Sequence, residues 1–370
     1  MHRASLMNAV TPAPVRSLVV APQWIGDAVM AEPLLATLAA RGERVTVGAL
    51  PWVAPVLRAM PQVAEVLEWP FAHGRLDLAR RRAVARELKG RFDRAYVLPN
   101  SIKAALIPWL AGVPLRIGYR GEGRVGLLNR RLANPPDRPP MVSFYRALAV
   151  AAAEDRRAAT RPAPARTAPE LHVPETVLDA TLARFGLAHR QYWVFAPGAE
   201  YGPAKCWPAE HYAALARELA QRHPGVPTVL LGSPKEAELA RSVAAAGGPS
   251  CRALAGHTSL DEAMALIAGA RAMVSNDSGL MHVAAAFGID QVALFGSTSP
   301  EHTPPLNPRA KVLWLKGELG LDCMPCFERT CRFGHTRCLV EIGPQRVISA
   351  LRQASALDDA TLDSARWTTT

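Results

Sequence analysis

The chain has 370 residues, 49% of them hydrophobic and 20% charged, and a formal net charge of +11. That length is too great for one ordinary hydrophobic core and predicts two domains of roughly 150 to 200 residues. No run approaches the roughly 18 apolar residues of a membrane span, and the first residues lack a basic-led apolar core with a cleavage site, so the expectation is a cytoplasmic protein that spans no membrane.

In chain order, β-branched runs at 17–21, 44–50, 64–68 and 94–98 read as strands, with helices at 28–40, 76–89 and 103–110. The proline-rich segment 161–174 can continue neither a helix nor a central strand and reads as a linker. Beyond it the pattern restarts, with strands at 192–196, 228–231, 272–275 and 292–295 and helices at 209–222, 234–246, 260–268 and 280–287. The expected division is an extension at 1–14, a first domain at 15–160, the linker, a second domain at 175–343, a C-terminal helix at 344–355 and a polar tail at 356–370. Alternating strands and helices predict an α/β protein, with two Rossmann-like doubly wound domains facing a central cleft. A GT-B transferase, a two-domain dehydrogenase and a periplasmic binding protein all fit that description, and fold alone does not choose among them.

Ligands of open parallel sheets gather at the carboxyl ends of strands, so the turns that follow strands carry the chemistry. The first strand runs into Gln23-Trp24-Ile25-Gly26-Asp27. Asp27 reads either as a cap of the helix after it or as a general base. A G-x-G-x-x-G dinucleotide fingerprint is absent from this turn, which argues against the dehydrogenase. In the second half the loop 196–208 contains Gly198 and Lys205, a lysine that is either a solvated surface group or a point charge for a phosphate. Ser275 to His282 again joins a strand to a helix, and Ser278 and Gly279 would let a diphosphate approach the free N–H groups of the helix start. Asp277 would repel phosphate and is expected to orient the turn. His282 stands one helical turn beyond Ser278 and reads as structural or as a donor to the same ligand. The segment 296–305 is rich in hydroxyls and suits either a sugar contact or a plain turn.

Cys323, Cys326, Cys331 and Cys338 lie within one short segment and satisfy the ligand count of a structural zinc site, though only the first pair has the usual spacing. Unpaired or redox-active thiols and disulfides are the alternatives. Catalysis needs none of these, because a closed structural site offers no open coordination position.

The charge is unevenly distributed: residues 1–170 carry +12 and residues 171–370 carry −1. A basic first half suggests a polyanionic partner. No zinc-finger, RRM or helix-turn-helix signature accompanies it and aromatics are only 6% of the chain, which argues against nucleic acid.

Taken together, the segments 22–30 (PQWIGDAVM), 96–106, 116–129, 196–208, 276–286 and 342–347 resemble glycosyltransferase family 9, from about Ser17 to Leu351. The resemblance implies a GT-B fold with an acceptor-binding first domain and a donor-binding second domain. It implies inverting transfer of heptose from ADP-heptose to the first heptose of the Kdo-lipid A inner core of lipopolysaccharide, with no metal or other cofactor required. Asp27 would deprotonate the acceptor hydroxyl, and Lys205 would neutralise the leaving diphosphate. Gly198, Asp277, Ser278, Gly279 and His282 would complete the donor site. Lys103, Arg116, Arg120 and Arg124, with Arg75 nearby, would meet the acidic groups of the acceptor, drawing the protein peripherally to the cytoplasmic face of the inner membrane. Cys206 departs from the pattern, since an arginine is common there. A family member with another acceptor, such as the first heptose-adding enzyme, and a nucleotide-sugar-binding protein without turnover remain the competing readings.

Overall fold

The structure is a computed structural model and describes residues 13–71, 76–153 and 167–354. The expectations for most of the extension, for Arg75, for the first part of the linker and for the tail fall outside those residues.

The first lobe holds β1 (Arg16–Val20), α1 (Ile25–Ala40), β2 (Arg44–Ala49), α2 (Ala54–Arg58), β3 (Val63–Glu68), α3 (Leu78–Leu88), β4 (Arg94–Val97), α4 (Ile102–Leu110), β5 (Leu115–Tyr119), β6 (Arg130–Leu132) and α5 (Met141–Ala153). The second continues with α6 (Glu175–Phe185), β7 (Trp193–Ala196), α7 (Ala209–Arg222), β8 (Thr228–Leu230), α8 (Ala237–Gly247), β9 (Cys251–Ala253), α9 (Leu260–Ala268), β10 (Ala272–Asn276), α10 (Gly279–Ala286), β11 (Asp290–Phe295) and β12 (Ala310–Trp314). Three short elements close the described chain: α11 (Lys316–Leu319), α12 (Arg337–Val340) and α13 (Pro344–Gln353).

Each lobe is a six-stranded sheet, ordered β3-β2-β1-β4-β5-β6 and β12-β11-β10-β7-β8-β9. Every pairing is parallel. Read from the opposite edge, the second sheet repeats the order of the first, so both are doubly wound and the expected α/β architecture is present. The order reverses between β1 and β4 in one lobe and between β7 and β10 in the other, which is where such sheets bind ligands. The inner strands are continuous apolar runs because helices cover both faces: β7 and β11 are buried at every residue. The outer strands β5, β6, β9 and β12 escape the sequence reading because they are short or carry charge, as in Arg130-Arg131-Leu132. Helix α5 escapes it as well, although it packs along α1.

Helix α1 begins at Ile25, three residues earlier than its apolar pattern suggests, and its N-cap is Trp24 without a side-chain cap bond. Asp27 therefore lies inside the first turn, and the capping reading of this residue is corrected. Its backbone N–H belongs to the uncapped start, and its carboxylate is left to interact elsewhere. Residues of α1 and α5 share one continuous apolar core with Val283 and Ala284 of α10 and with Ile267 of α9, so the lobes meet through packed helices. The chain between the lobes is stitched to both, with Leu171 N–H donating to Ala286 O at 3.3 Å and His172 N–H to Ala59 O at 2.8 Å.

A polar knot fixes the amino ends of the central strands of the first lobe. Glu43 accepts from the Ser17 hydroxyl, from Tyr96 Oη at 3.2 Å and from Arg94 Nη1 at 3.3 Å, with all four side chains buried. Removing one partner of a buried ion pair leaves the other charge uncompensated, at a cost of about 3–5 kcal/mol. Glu43→Ala should destabilise the fold by that amount in denaturant unfolding; an unchanged transition midpoint would show that the knot carries no such stabilisation.

Candidate active site

Two helix starts meet at the junction of the lobes. A Cβ on Gly26 would lie 2.9 Å from His282 Cδ2, and one on Gly279 would lie 3.0 Å from Ile25 Cβ. Only glycine lets the first turns of α1 and α10 approach this closely. The contact places Asp27 of the first lobe in the electrostatic field of Lys205 and Asp277 of the second.

Lys205 ends a 3-10 turn at Pro203–Lys205. Its ammonium donates to Asp277 Oδ2 at 2.7 Å and to Asp277 O at 3.3 Å, and it lies 5.0 Å from the centre of the Tyr201 ring. Thr298 donates to the same carboxylate oxygen at 2.6 Å, which gives the segment 296–305 a role in holding the site. Asp277 thus orients Lys205 as well as the turn. The loop carrying Lys205 is held by Asn276, a fully buried residue that accepts from Trp207 N–H at 3.0 Å and Tyr212 Oη at 3.1 Å and donates to Pro197 O at 2.6 Å. Asn276 escaped the sequence reading, although it ends a buried strand where an amide has no packing purpose.

The electrostatics follow from burial. Asp27 is pushed up to about 6, because desolvation disfavours its charge and the Asp277 carboxylate adds to this, while Lys205 opposes the shift. His282 is pulled down to about 4 by burial, with Asp277 and Lys205 acting in opposite senses, so it is a neutral imidazole near pH 7 and donates through one nitrogen only. Ser278 precedes α10 as its N-cap, and its hydroxyl is buried without a protein partner. Tyr145 of α5 is raised well above its ordinary value by burial and by the charge of Asp27, which brings a third helix to this point.

A cavity of about 820 Å³ opens here between the lobes, within the usual range of small-molecule sites. Gln23, Trp24 and Trp52 line it from the first lobe, and Gly198, Glu236, Ser278 and Gly279 from the second. Gly198 is required by packing: a Cβ there would lie 1.8 Å from Glu236 Oε1. Glu236 closes a capping box with Ser233, and Ser259 and Glu262 form another at the start of α9, beside the same cavity. The S-x-x-E spacing of both was legible in the sequence as a helix-start signal, yet neither residue was singled out. Trp24 and Trp52 are each about two-fifths exposed at the cleft and were also missed.

The predicted acceptor residues divide. Arg116 is committed to backbone carbonyls, with Nε donating to Leu127 O at 2.7 Å and Nη1 to Val113 O at 2.6 Å. Arg124 is buried and donates to Pro99 O at 2.7 Å, to Asn100 Oδ1 at 3.0 Å and to Tyr119 O. These two guanidiniums fasten the loop after β5, and these hydrogen bonds go to the chain itself. Arg120 is exposed, and Lys103 lines a second, smaller cavity. The four clustered cysteines are free thiols. Among the described residues no three His, Cys, Asp or Glu side chains are gathered so that they could hold a metal, so the zinc reading finds no support in their arrangement. Burial, and then the neighbouring cysteines, push the Cys338 thiol up to about 11, which makes it a poor nucleophile.

Two doubly wound sheets, with a carboxylate from one facing a lysine and a helix start from the other across a nucleotide-sized cleft, define a GT-B glycosyltransferase. A profile of glycosyltransferase family 9 (heptosyltransferase) matches residues 81–337, and the chain belongs to that family. It is 41% identical to lipopolysaccharide heptosyltransferase 2 of Escherichia coli K12, over 94% of this chain and the full length of that protein. The corresponding protein of Salmonella typhimurium is also 41% identical, over 91% of this chain and 97% of its own. The solved structure of the Escherichia coli ADP-heptose lipopolysaccharide heptosyltransferase II superposes with a TM-score of 0.79 at 40% identity, covering 92% of this chain and 98% of that one.

The raised pKa of Asp27 has a consequence for stability. A carboxyl that binds its proton more tightly when folded than when unfolded weakens the fold once it is ionised, so the burden is full above pH 6 and fades as pH falls toward the ordinary value near 4. Asp27→Asn should therefore melt a few degrees above the wild type at pH 7.5, with the gap closing toward pH 4.5; a difference independent of pH would refute the assignment.

Proposed function

We propose that this chain is an inverting heptosyltransferase that moves L-glycero-D-manno-heptose from ADP-heptose onto the first heptose of the Kdo-lipid A inner core, a reading supported by relatives of matching length named lipopolysaccharide heptosyltransferase 2. The observation that carries the mechanism is a half-buried carboxylate with a pKa of about 6, one lobe away from a lysine and an uncapped helix start. A general base works best with a pKa near the working pH. Asp27 takes the proton of the acceptor hydroxyl as that oxygen attacks the anomeric carbon. The ADP leaves from the opposite face, which inverts the configuration.

The departing diphosphate meets Lys205, the Ser278 hydroxyl and the N–H groups of the first turn of α10. These groups are fixed before reaction and need no reorganisation as charge develops. Lys205 exchanges one bond to Asp277 for a phosphate oxygen, while Thr298 keeps hold of the carboxylate. His282 adds one neutral N–H. The cavity between Gly198, Glu236 and the start of α9 takes the nucleoside, with the Glu236 carboxylate as an acceptor for ribose hydroxyls.

No helix among the described residues is long and apolar enough to cross a membrane. The protein reaches its lipid-borne acceptor peripherally, at the cytoplasmic face of the inner membrane. Helix α4 exposes Ile102 and Trp109, two turns apart on one side, on the lobe that carries the positive excess. The protein should cosediment with anionic vesicles and be released as salt rises, and Trp109→Ala should weaken that binding; equal retention on neutral and anionic vesicles would sink the electrostatic part.

Product masses decide the reaction. With ADP-heptose, mono-heptosylated Kdo-lipid A should gain one heptose and Kdo-lipid A none; extension of the unheptosylated acceptor would assign the chain to the preceding step. Asp27→Asn should lower kcat by roughly 10³-fold or more with little change in donor affinity, and the wild-type kcat should fall on the acid side with a midpoint near 6, as the base becomes protonated. A rate flat from pH 5 to pH 8 would remove Asp27 from the base role. Lys205→Ala should weaken both donor binding and kcat.

A further inference from the structure

The tryptophans of this protein fall into two groups. Trp69, Trp193 and Trp207 are at most 5% exposed and belong to hydrophobic cores. Trp24 and Trp52 are 44% and 42% exposed and stand together on the first-lobe wall of the large cleft. Indoles left in water forgo the stabilisation that burial gives, so two at one cleft mark a surface built to be covered.

The sheet brings the two rings side by side. Strands β1 and β2 are paired with Val20 opposite Gly48, and each tryptophan lies four residues past its member of that pair. Ala21 N–H continues the pairing to Gly48 O at 2.9 Å. The turns beyond are tied to each other by the Trp52 indole N–H, which donates to Gln23 O at 3.0 Å. The Trp24 backbone oxygen accepts from Ala28 N–H at 2.9 Å, while its side chain makes no cap bond to the helix. Trp52 sits in a turn closed by Val53 N–H on Leu50 O at 3.0 Å. Both backbones are pinned, and an indole on a pinned backbone has little rotamer freedom to lose when a ligand covers it.

The position of the pair indicates the ligand. Trp24 immediately precedes Ile25, which meets Gly279 of α10, and Asp27 follows three residues on in the first turn of α1. The rings therefore adjoin the carboxylate that takes the acceptor proton, on the wall opposite Ser278 and Gly279. The first-lobe lining of this cleft is Gln23, Trp24, Ile25, Gly26 and Trp52, which contains no charged side chain. Such a wall suits the C–H face of a neutral pyranose, whose hydroxyls point outward from its rim.

We propose that Trp24 and Trp52 form an aromatic shelf on which the accepting heptose lies ring face down, with its attacking hydroxyl turned toward Asp27. The inference rests on the heptosyltransferase reading, which places the attacking sugar beside Asp27. The shelf positions that sugar by contact with its ring alone, so it acts on the accepting residue whatever acidic groups the rest of the acceptor carries.

Initial rates with ADP-heptose and a lipid-free heptosyl disaccharide, the heptose joined to its acidic sugar, test this. Trp24→Leu and Trp52→Leu should each raise the acceptor KM about tenfold with the ADP-heptose KM unchanged, whereas Trp24→Phe and Trp52→Phe, which keep an aromatic face, should stay within about threefold of the wild type. Trp52→Phe also removes the bond to Gln23 O, so its mild effect separates the ring from that bond. Saturation-transfer NMR with ADP and the disaccharide supplies a readout without turnover: irradiation of aromatic protons should saturate the heptose ring protons in the wild type and much less in the Leu variants. A raised ADP-heptose KM in the Leu variants would put the donor on the shelf and overturn the proposal. Equal losses in the Leu and Phe variants, or wild-type kinetics in both Leu variants, would overturn it too; if the latter bind anionic vesicles poorly, the rings serve the membrane instead. Should one Leu variant not fold, the other decides, and absence of transfer to the heptose in the wild type refutes the shelf by itself. Failure of the wild type to extend any heptosylated acceptor would refute the reading of the reaction and the shelf with it.

Discussion

The site depends on the close approach of two helix starts, α1 from one lobe and α10 from the other, which Gly26 and Gly279 permit. Each start carries partial positive charge from its unpaired N–H groups, so bringing two together is unfavourable unless negative charge stands between them. Asp27 in the first turn of α1 and Asp277 just before α10 supply that charge in the described protein. A diphosphate would supply more. The same geometry that is relieved by anions is therefore the geometry that suits one as a ligand.

Within that frame the two aspartates do opposite things. Asp277 is held by Lys205 and Thr298, and its task is to keep the lysine in position. Asp27 lacks such partners, and burial raises it to about 6. The two carboxyls therefore differ in their surroundings: one is anchored by a lysine and a threonine, and the other, raised by burial, has the character the proposed general base requires. Burial prevails over the Lys205 charge at Asp27 because the lysine is already matched by Asp277, which leaves little net field to favour the second carboxylate.

Much of this was legible in the sequence because the residues sit at strand ends within long motifs. The turns after β1, β7 and β10 were found from the alternation of buried strands with helices, and those turns converge at the two points where the sheet order reverses. Side-chain partners were not legible. Asp27 could be read as a helix cap as well as a base because the apolar pattern begins at 28, whereas Trp24 starts the helix without help from its side chain. Asn276 lies within the Ser275 to His282 motif without a role assigned to it, and its amide is committed to Pro197, Trp207 and Tyr212. Only tertiary contacts distinguish an amide that binds a ligand from one that binds its own chain.

The arginines of the first lobe make the same point with a different outcome. Their number suggested a polyanionic partner, and Arg116 and Arg124 lay within a family motif, yet both donate to their own chain, Arg116 to backbone carbonyls and Arg124 to two carbonyls and the Asn100 amide oxygen. Net charge therefore points to a lobe and not to a residue. What separates a binding arginine from a bracing one is whether its hydrogen-bonding fork is already filled, since five directional donors satisfied by carbonyls have nothing left to offer an acid. The second lobe confirms this in reverse. In the proposed reaction it meets a doubly charged leaving group at almost zero net charge, with one lysine and one helix start gathered at the junction of the lobes.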